Sequence, residues 1–121
     1  MKILELVDEI DTQRAKALVA NLDRYKNDSV LLRINSPGGS VTAGMLIADA
    51  VQRHGRVTAE IVGLAASMGS IVAVAAKETR MASTALLMVH NPWMQTEGDA
   101  RRLRKEADTL EKFAGSLVTY Y

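Results

Sequence analysis

The sequence predicts a layered α/β fold with parallel strand pairing, on the strength of three observations. Segments with strand character alternate with segments of helical period along the whole chain. The segment "VLLRIN" (30–35) is mostly apolar, which is typical of a strand that a parallel sheet buries on both faces. The stretch 67–76 is apolar on nearly all sides, which indicates a buried helix. Strict alternation of strands and helices favours an α/β architecture.

The first half of the chain predicts two strands and two helices. "KILELV" (2–7) has the character of a short strand, and "KNDS" (26–29) has the composition of a turn that precedes the strand 30–35. A second helix is expected at 41–53, with Gly55 as its stop. The first helix is predicted from apolar residues spaced i, i+3, i+4 and i+7: Ala15, Leu18, Val19 and Leu22.

The second half predicts two more strands and two more helices. "RVTAEIVG" (56–63) is expected to form a third strand that enters the buried helix 67–76. "TALLMVH" (84–90) is expected to form a fourth strand that ends in His90. A long last helix is expected to begin near Asp99.

The last helix carries a narrow apolar seam. Its apolar residues follow each other at alternating steps of three and four, which is a heptad pattern. The pattern is compatible with a surface helix that packs on its own domain, and also with a contact between subunits. The seam, which is flanked by charged residues, consists of Ala100, Leu103, Ala107, Leu110, Ala114, Leu117 and Tyr121.

Composition limits the classes of function. The chain has 121 residues, which fits a single domain (1–121), and its net charge of +1 gives no field that would attract nucleic acid or acidic lipid. It has no cysteine, which excludes disulfides and cysteine nucleophiles. The first residues are acidic where an export signal would be apolar, so we expect no export signal. The sequence has no apolar run of about 20 residues, so we expect no membrane span. We expect a cytoplasmic protein that needs no metal or cofactor.

The segment "SPGGS" (36–40) is the first candidate for chemistry. Two glycines between a buried strand and a helix leave backbone N–H groups exposed at a helix start, where they could hold a phosphate or an oxyanion. The alternative is a tight strand-to-helix turn without a ligand. The sequence contains neither G-x-x-x-x-G-K-[ST] nor G-x-G-x-x-G, so it is not a P-loop or dinucleotide-binding protein of those kinds.

Ser67 and His90 are the second and third candidates. Ser67 follows a strand and opens a buried helix, so it is a candidate nucleophile. Taken alone, "AASMGS" is more typical of small residues that allow a helix to pack closely. Because Ala65 replaces the first glycine, G-x-S-x-G is not matched. His54 is expected to be solvated at a helix end, whereas His90 ends a strand and could be either a base or a core residue. The carboxyl ends of parallel strands share one edge of a sheet, which favours a common site.

Three motifs in order, "INSPGGSVTAG" (34–44), "GLAASMGS" (63–70) and "MVHNP" (88–92), resemble the proteolytic subunit family of Clp protease. The resemblance implies a Clp/crotonase-type fold of repeated β-α-β units with a long handle helix, and subunits stacked into rings. It implies Ser67 as nucleophile, His90 as general base, and the N–H groups of Gly39 and Met68 as the oxyanion hole. "HNPW" followed by an acidic-basic helix resembles the phage and prophage head maturation proteases most.

The sequence also departs from the family pattern. The first strand starts almost at Met1, so the segment with which the family engages an ATPase is short or absent, which makes an ATPase partner doubtful. "NPWMQTEGDA" has one glycine where the family has a glycine-rich strand. The family's triad acid lies beyond the handle helix, and we expect no aspartate of this chain to occupy its position.

Several functions remain compatible with these residues. The leading hypothesis is a Clp-type serine endopeptidase that acts on peptides or proteins as a homo-oligomer through the helix around Ala100–Tyr121. The alternatives are an inactive assembly subunit, a crotonase-type acyl-CoA enzyme and a Ser–Lys peptidase. "GLAASMG" differs from G-x-A-x-G-G-G, the pattern typical of crotonases, which argues against the acyl-CoA enzyme. His90 argues against a peptidase with a lysine base.

Overall fold

The computed structural model describes residues 1–89, 100, 101, 104, 105, 107–109, 111 and 112. The chain divides into two units, Met1–Val89 and His90–Tyr121. In the first unit, strands and helices alternate as the sequence predicts, up to the last two strands. These elements are β1 (Lys2–Val7), α1 (Thr12–Arg24), β2 (Val30–Ser36), α2 (Val41–His54), β3 (Val57–Ala66), α3 (Met68–Ala75), β4 (Glu78–Met81) and β5 (Leu86–Met88).

The strands form one parallel sheet. Its order is β1-β2-β3-β4, and β5 pairs with β3 beyond the end of β4. Because the order in space follows the order in sequence, right-handed crossovers place all three helices on the same face of the sheet. Accordingly, α1 packs on α2 and α2 packs on α3. The predicted α/β fold with parallel pairing is therefore confirmed.

The core lies between this face and the helices. Neighbouring strands align their inward side chains in rows, such as Leu6–Ile34–Ile61, and all three of these side chains are fully buried. From α1, the predicted residues Ala15, Leu18 and Leu22 reach the core, whereas Val19 is half-buried. Burying each large aliphatic side chain stabilises the fold by about 1.5–3 kcal/mol.

The opposite face of the sheet corrects one prediction. β2 is buried on both faces at Val30, Leu31 and Leu32, but Arg33 and Asn35 are exposed. Arg33 forms an ion pair with Glu60 on β3, with 3.4 Å between Nε and Oε1. The apolar run of β2 therefore reflects two-sided burial in its first half only.

Helix ends follow the expected chemistry. Asp11 caps α1 by accepting a hydrogen bond of 2.7 Å from the Arg14 N–H, and Ser40 caps α2 by accepting one from Ala43. α2 ends at His54, one residue beyond the predicted end, and Gly55 follows in the left-handed conformation at φ 79°.

Two strands have other bounds than predicted in the second half of the unit, and a third strand was not predicted. β3 continues to Ala66, because its last residues pair with β5 rather than forming a loop. β4 was not predicted, and all four of its residues are exposed, so it has no apolar alternation. The strand expected at 84–90 is limited to Leu86–Met88 among the described residues.

β3 also carries an irregularity. Ile34 pairs with Ile61 but Ser36 pairs with Ala65, so β3 has two more residues than β2 between these pairs. The Asn35 side chain fills the break by accepting a hydrogen bond of 3.1 Å from the Leu64 N–H. Gly63 lies against that side chain, since a methyl group added there would be 2.6 Å from Asn35 Oδ1.

In the second unit, every described residue is helical. These residues include Ala100 and Ala107 of the predicted seam, and both are exposed in the single chain. The predicted helix start at Asp99 and the seam positions Leu103, Leu110, Ala114, Leu117 and Tyr121 lie outside the described residues. No described helix is long and apolar enough to cross a membrane.

Candidate active site

The site lies at the carboxyl edge of the sheet, where β2 and β3 each run into a helix. β2 leads through the turn 36–40 into α2, and β3 leads directly into α3. Ser67 stands between β3 and α3 with φ 55° and ψ −123°, so it is not the first helical residue as predicted but the residue before it. A positive φ at a residue with a side chain costs about 1–3 kcal/mol, and such residues cluster at functional sites.

This conformation is a sharp strand-to-helix elbow. The Ser67 N–H donates to the Met88 carbonyl at 3.0 Å, and the Ser67 carbonyl accepts from the Ser70 N–H and, at 2.6 Å, from the Ser70 hydroxyl. The Ser67 side chain makes no capping bond to α3. The backbone of Ser67 is thus fixed on both sides, while its hydroxyl is not used to cap the helix. The elbow forms although the G-x-S-x-G pattern is not matched.

The glycine turn lies directly against this elbow. A methyl group added at Gly38 would be 2.7 Å from Ser67 Cβ, 2.9 Å from the Ala66 carbonyl oxygen and 3.2 Å from the Met68 amide nitrogen. Gly38 has φ 102°, a conformation that side chains rarely adopt. Glycine at this position therefore allows the turn and Ser67 to touch.

The backbone N–H groups of the turn have different partners. The Gly38 N–H donates to Ser36 Oγ at 3.1 Å. The Gly39 N–H donates no hydrogen bond to any described residue, because it is the Ser40 N–H that bonds to Ile10. Met68 is the first residue of α3, where an N–H has no acceptor within the helix. Gly39 and Met68 are thus among the residues of this edge whose N–H groups donate to no described residue.

Two further glycines allow α3 to approach the turn and α2. A methyl group at Gly69 would be 3.0 Å from the Ser36 carbonyl oxygen. A methyl group at Gly44 on α2 would be 2.7 Å from Met68 Cε and 2.8 Å from Met68 Cβ. The side chain of Met68 is buried, and its amide nitrogen lies on the side of the turn, 3.2 Å from the position of a methyl group added at Gly38. Gly44 and Gly69 fix its position through packing.

Sequence reasoning included Ser36 in the turn 36–40 but did not single out its side chain. It is fully buried, and its hydroxyl donates to the Asp8 carbonyl at 2.6 Å while accepting from Gly38. A serine before Pro-Gly-Gly has the composition of an ordinary turn, so the sequence offers no signal for a buried polar group there. The partner Asp8 lies 28 residues earlier in the chain.

The two histidines differ in what the structure says of them. His54 was expected to be solvated, but it is half-buried: its Nδ1 accepts from the Arg56 N–H at 3.2 Å and its Nε2 lies 2.9 Å from the Tyr25 carbonyl oxygen. This pattern requires the proton on Nε2 and makes His54 a structural residue. His90 and Asp99 lie outside the described residues. Among the described residues no cluster of three or more His, Asp or Glu could hold a metal ion.

Together these features define an α/β protein whose parallel sheet carries a serine elbow and a turn with free N–H groups at its carboxyl edge. The chain belongs to the Clp protease family, whose model matches residues 1–121. The expected Clp/crotonase-type architecture agrees with the parallel sheet and alternating helices described above.

Two curated proteins illustrate the relationship. The chain is 34% identical over 116 residues to the ATP-dependent Clp protease proteolytic subunit of Borreliella afzelii. It is 36% identical over 116 residues to the ATP-dependent Clp protease proteolytic subunit 1 of Gloeobacter violaceus. Each alignment covers 90% of this chain but 59% of the relative, so the chain spans less than two thirds of the length of these relatives.

Proposed function

We propose that this chain is a serine peptidase of the Clp type, which hydrolyses peptide bonds through an acyl-enzyme on Ser67. The observation that carries the proposal is the contact between the Ser67 elbow and the glycine turn at Gly38. The names of the two relatives, both proteolytic subunits, support the same class of reaction.

The proposed chemistry is acyl transfer. Ser67 Oγ attacks the peptide carbonyl, and His90 takes the hydroxyl proton and later returns it to the leaving amine. The N–H groups of Gly39 and Met68 stabilise the negative charge that develops on the carbonyl oxygen. Hydrogen bonds hold the backbone on both sides of Gly39 and at Ser67, next to Met68, before substrate arrives. Donors placed in advance in this way lower a barrier most.

The finer parts of the proposal rest on the sequence. We infer that the protein is cytoplasmic and forms a homo-oligomer through the heptad seam. We further infer that it cleaves peptides without strict need of an ATPase, and that it belongs with the phage and prophage maturation proteases. The third member of the triad is an acid that we do not assign within this chain. Because a serine–histidine pair without its acid loses about 10⁴-fold in rate, we expect that acid to be needed for full activity.

Labelling of the nucleophile tests the proposal. A fluorophosphonate probe should form a covalent bond to Ser67, and Ser67→Ala should abolish labelling. Ser29→Ala is the matched control, because Ser29 lies in the turn before β2 and contacts Arg56. Peptide mapping should find the label on Ser67.

Two results would contradict the proposal. Label on a serine other than Ser67 would overturn the assignment of the nucleophile. A folded protein that takes up no label at saturating probe would favour the inactive assembly subunit or the crotonase-type enzyme, since neither needs a serine nucleophile.

A further inference from the structure

We propose that Ser36 is a positioning residue of the oxyanion hole: its hydroxyl selects Gly39, rather than Gly38, as the N–H donor of the turn. The inference rests on the proposed function, because it names the group that sets the geometry of that site. It is carried by two hydrogen bonds of one buried side chain.

The first bond removes a competing donor. Of the two glycines of the turn, it is Gly38 that lies against Ser67, since a methyl group added there would be 2.7 Å from Ser67 Cβ, whereas one added at Gly39 would meet Ile10 and Glu9. That N–H donates instead to Ser36 Oγ at 3.1 Å. A serine hydroxyl offers one hydrogen and can accept at the same time, so Ser36 engages Gly38 while its own proton goes elsewhere.

The second bond connects the turn to the segment between β1 and α1. The Ser36 hydroxyl donates to the Asp8 carbonyl at 2.6 Å, and Asp8 itself has a positive φ of 68°. Two residues later, Ile10 donates to the Gly38 carbonyl at 2.8 Å and accepts from the Ser40 N–H at 2.9 Å. The β1–α1 connection and the turn 36–40 therefore hold each other on both sides of Gly39.

The Gly39 N–H is left without an acceptor by this arrangement. Ile10 bonds to the residues before and after Gly39, and Ser36 bonds to Gly38, so the described residues accept nothing from Gly39. The conformation of Gly39, with φ 146°, depends on these bonds because glycine alone has no preference for it. Without the Ser36 hydroxyl, the Gly38 N–H loses its acceptor and is free to turn toward the site. The peptide group that carries the Gly39 N–H is then held only by the bond from Ile10 to the Gly38 carbonyl.

Ser36→Ala in the 121-residue chain tests the role, with Ser40→Ala as the matched control. The two serines accept nearly identical bonds from backbone N–H groups, at 3.1 Å from Gly38 and at 3.2 Å from Ala43. Loss of a whole oxyanion donor costs about 10²–10³-fold in rate. We expect Ser36→Ala to reduce the maximal rate of Ser67 phosphonylation about tenfold or more, with the half-saturating probe concentration unchanged. Ser40→Ala should keep the wild-type maximal rate, although it should lower the unfolding temperature.

Amide hydrogen exchange of the wild-type chain by NMR supplies a second measurement that needs no variant. The Gly38 N–H should exchange slowly and the Gly39 N–H fast. Phosphonylation of Ser67 should slow the exchange of the Gly39 N–H. Equal maximal rates for Ser36→Ala and Ser40→Ala, or Gly38 exchanging as fast as Gly39, would overturn the Ser36 role. Absence of label on wild-type Ser67 would overturn the proposed peptidase instead, and the exchange of Gly38 against Gly39 would still decide the arrangement of the turn.

Discussion

Replacing Gly38 by alanine should damage both stability and the site. Its positive φ of 102° costs a side-chain residue about 1–3 kcal/mol. The added methyl group, which would be 2.7 Å from Ser67 Cβ and 2.9 Å from the Ala66 carbonyl oxygen, adds about 1–3 kcal/mol of overpacking. Reduced freedom of the unfolded chain returns about 0.4–1 kcal/mol. The net loss is about 3 kcal/mol, a large part of the roughly 6–18 kcal/mol expected for 121 residues.

Gly55→Ala isolates the contribution of the contact. Gly55 also has a positive φ, 79°, but the nearest atom to an added methyl group is 4.0 Å away. This variant should lose about 1 kcal/mol or less from conformational strain alone. The difference of about 2 kcal/mol corresponds to roughly 8 °C in the thermal midpoint, at about 4 °C per kcal/mol.

Thermal unfolding and labelling together check the argument. Gly38→Ala should unfold well below Gly55→Ala and lose most labelling of Ser67, because the methyl group displaces the Ser67 elbow and the Met68 N–H. Gly55→Ala should keep the wild-type rate of labelling. If the two variants unfold at the same temperature and both are labelled at the wild-type rate, the turn does not press on the elbow and the reasoning is wrong.

Two further predictions concern assembly and partners. Light scattering should give a molar mass that is a multiple of 13.1 kDa, and Leu110→Lys should reduce that mass, since a leucine buried in a subunit contact contributes about 1.5–3 kcal/mol. Asp108→Lys, at an exposed helical position, is the control, and a monomer with or without Leu110→Lys would refute the subunit contact. Hydrolysis of a fluorogenic peptide should be unaffected by nucleotide, and an unfolded protein should be cut without an added unfoldase; cleavage that appears only with an ATPase present would contradict this.

Much of the fold could be predicted because the apolar residues recur at the spacing of a helix or follow each other in a run typical of a strand. α1 has its apolar residues at helical spacing, and β2 has an apolar run between turn residues. β4 could not be predicted, since it pairs with β3 through its backbone and buries none of its four side chains. The end of β3 was placed too early because Ala65 and Ala66 have little strand preference, and their pairing with β5 decides the outcome.

The site was predictable to the extent that it depends on motifs. The sequence displays the strand-to-helix junctions that carry the turn 36–40 and Ser67, and the family resemblance implies Gly39 and Met68 within them; the roles of these residues stay predictions. Ser36 does not, because its role depends on the Asp8 carbonyl, a backbone group that is 28 residues away and carries no sequence signature. For the same reason the sequence favoured a free His54, whereas the Tyr25 carbonyl, 29 residues away, lies within hydrogen-bond distance of its ring.

The two extra residues in β3 have a consequence for how the length of this chain can vary. Side chains alternate between the two faces of a strand, so Ile61 and Ala65, on either side of the irregularity, both face the helices. Deleting one residue from 62–64 would move the side chains of all later residues of β3 to the opposite face of the sheet, so Ala65 would point away from the core. Deleting two would preserve the facing. Just upstream of Ser67, insertions and deletions of two residues should therefore be tolerated better than those of one residue.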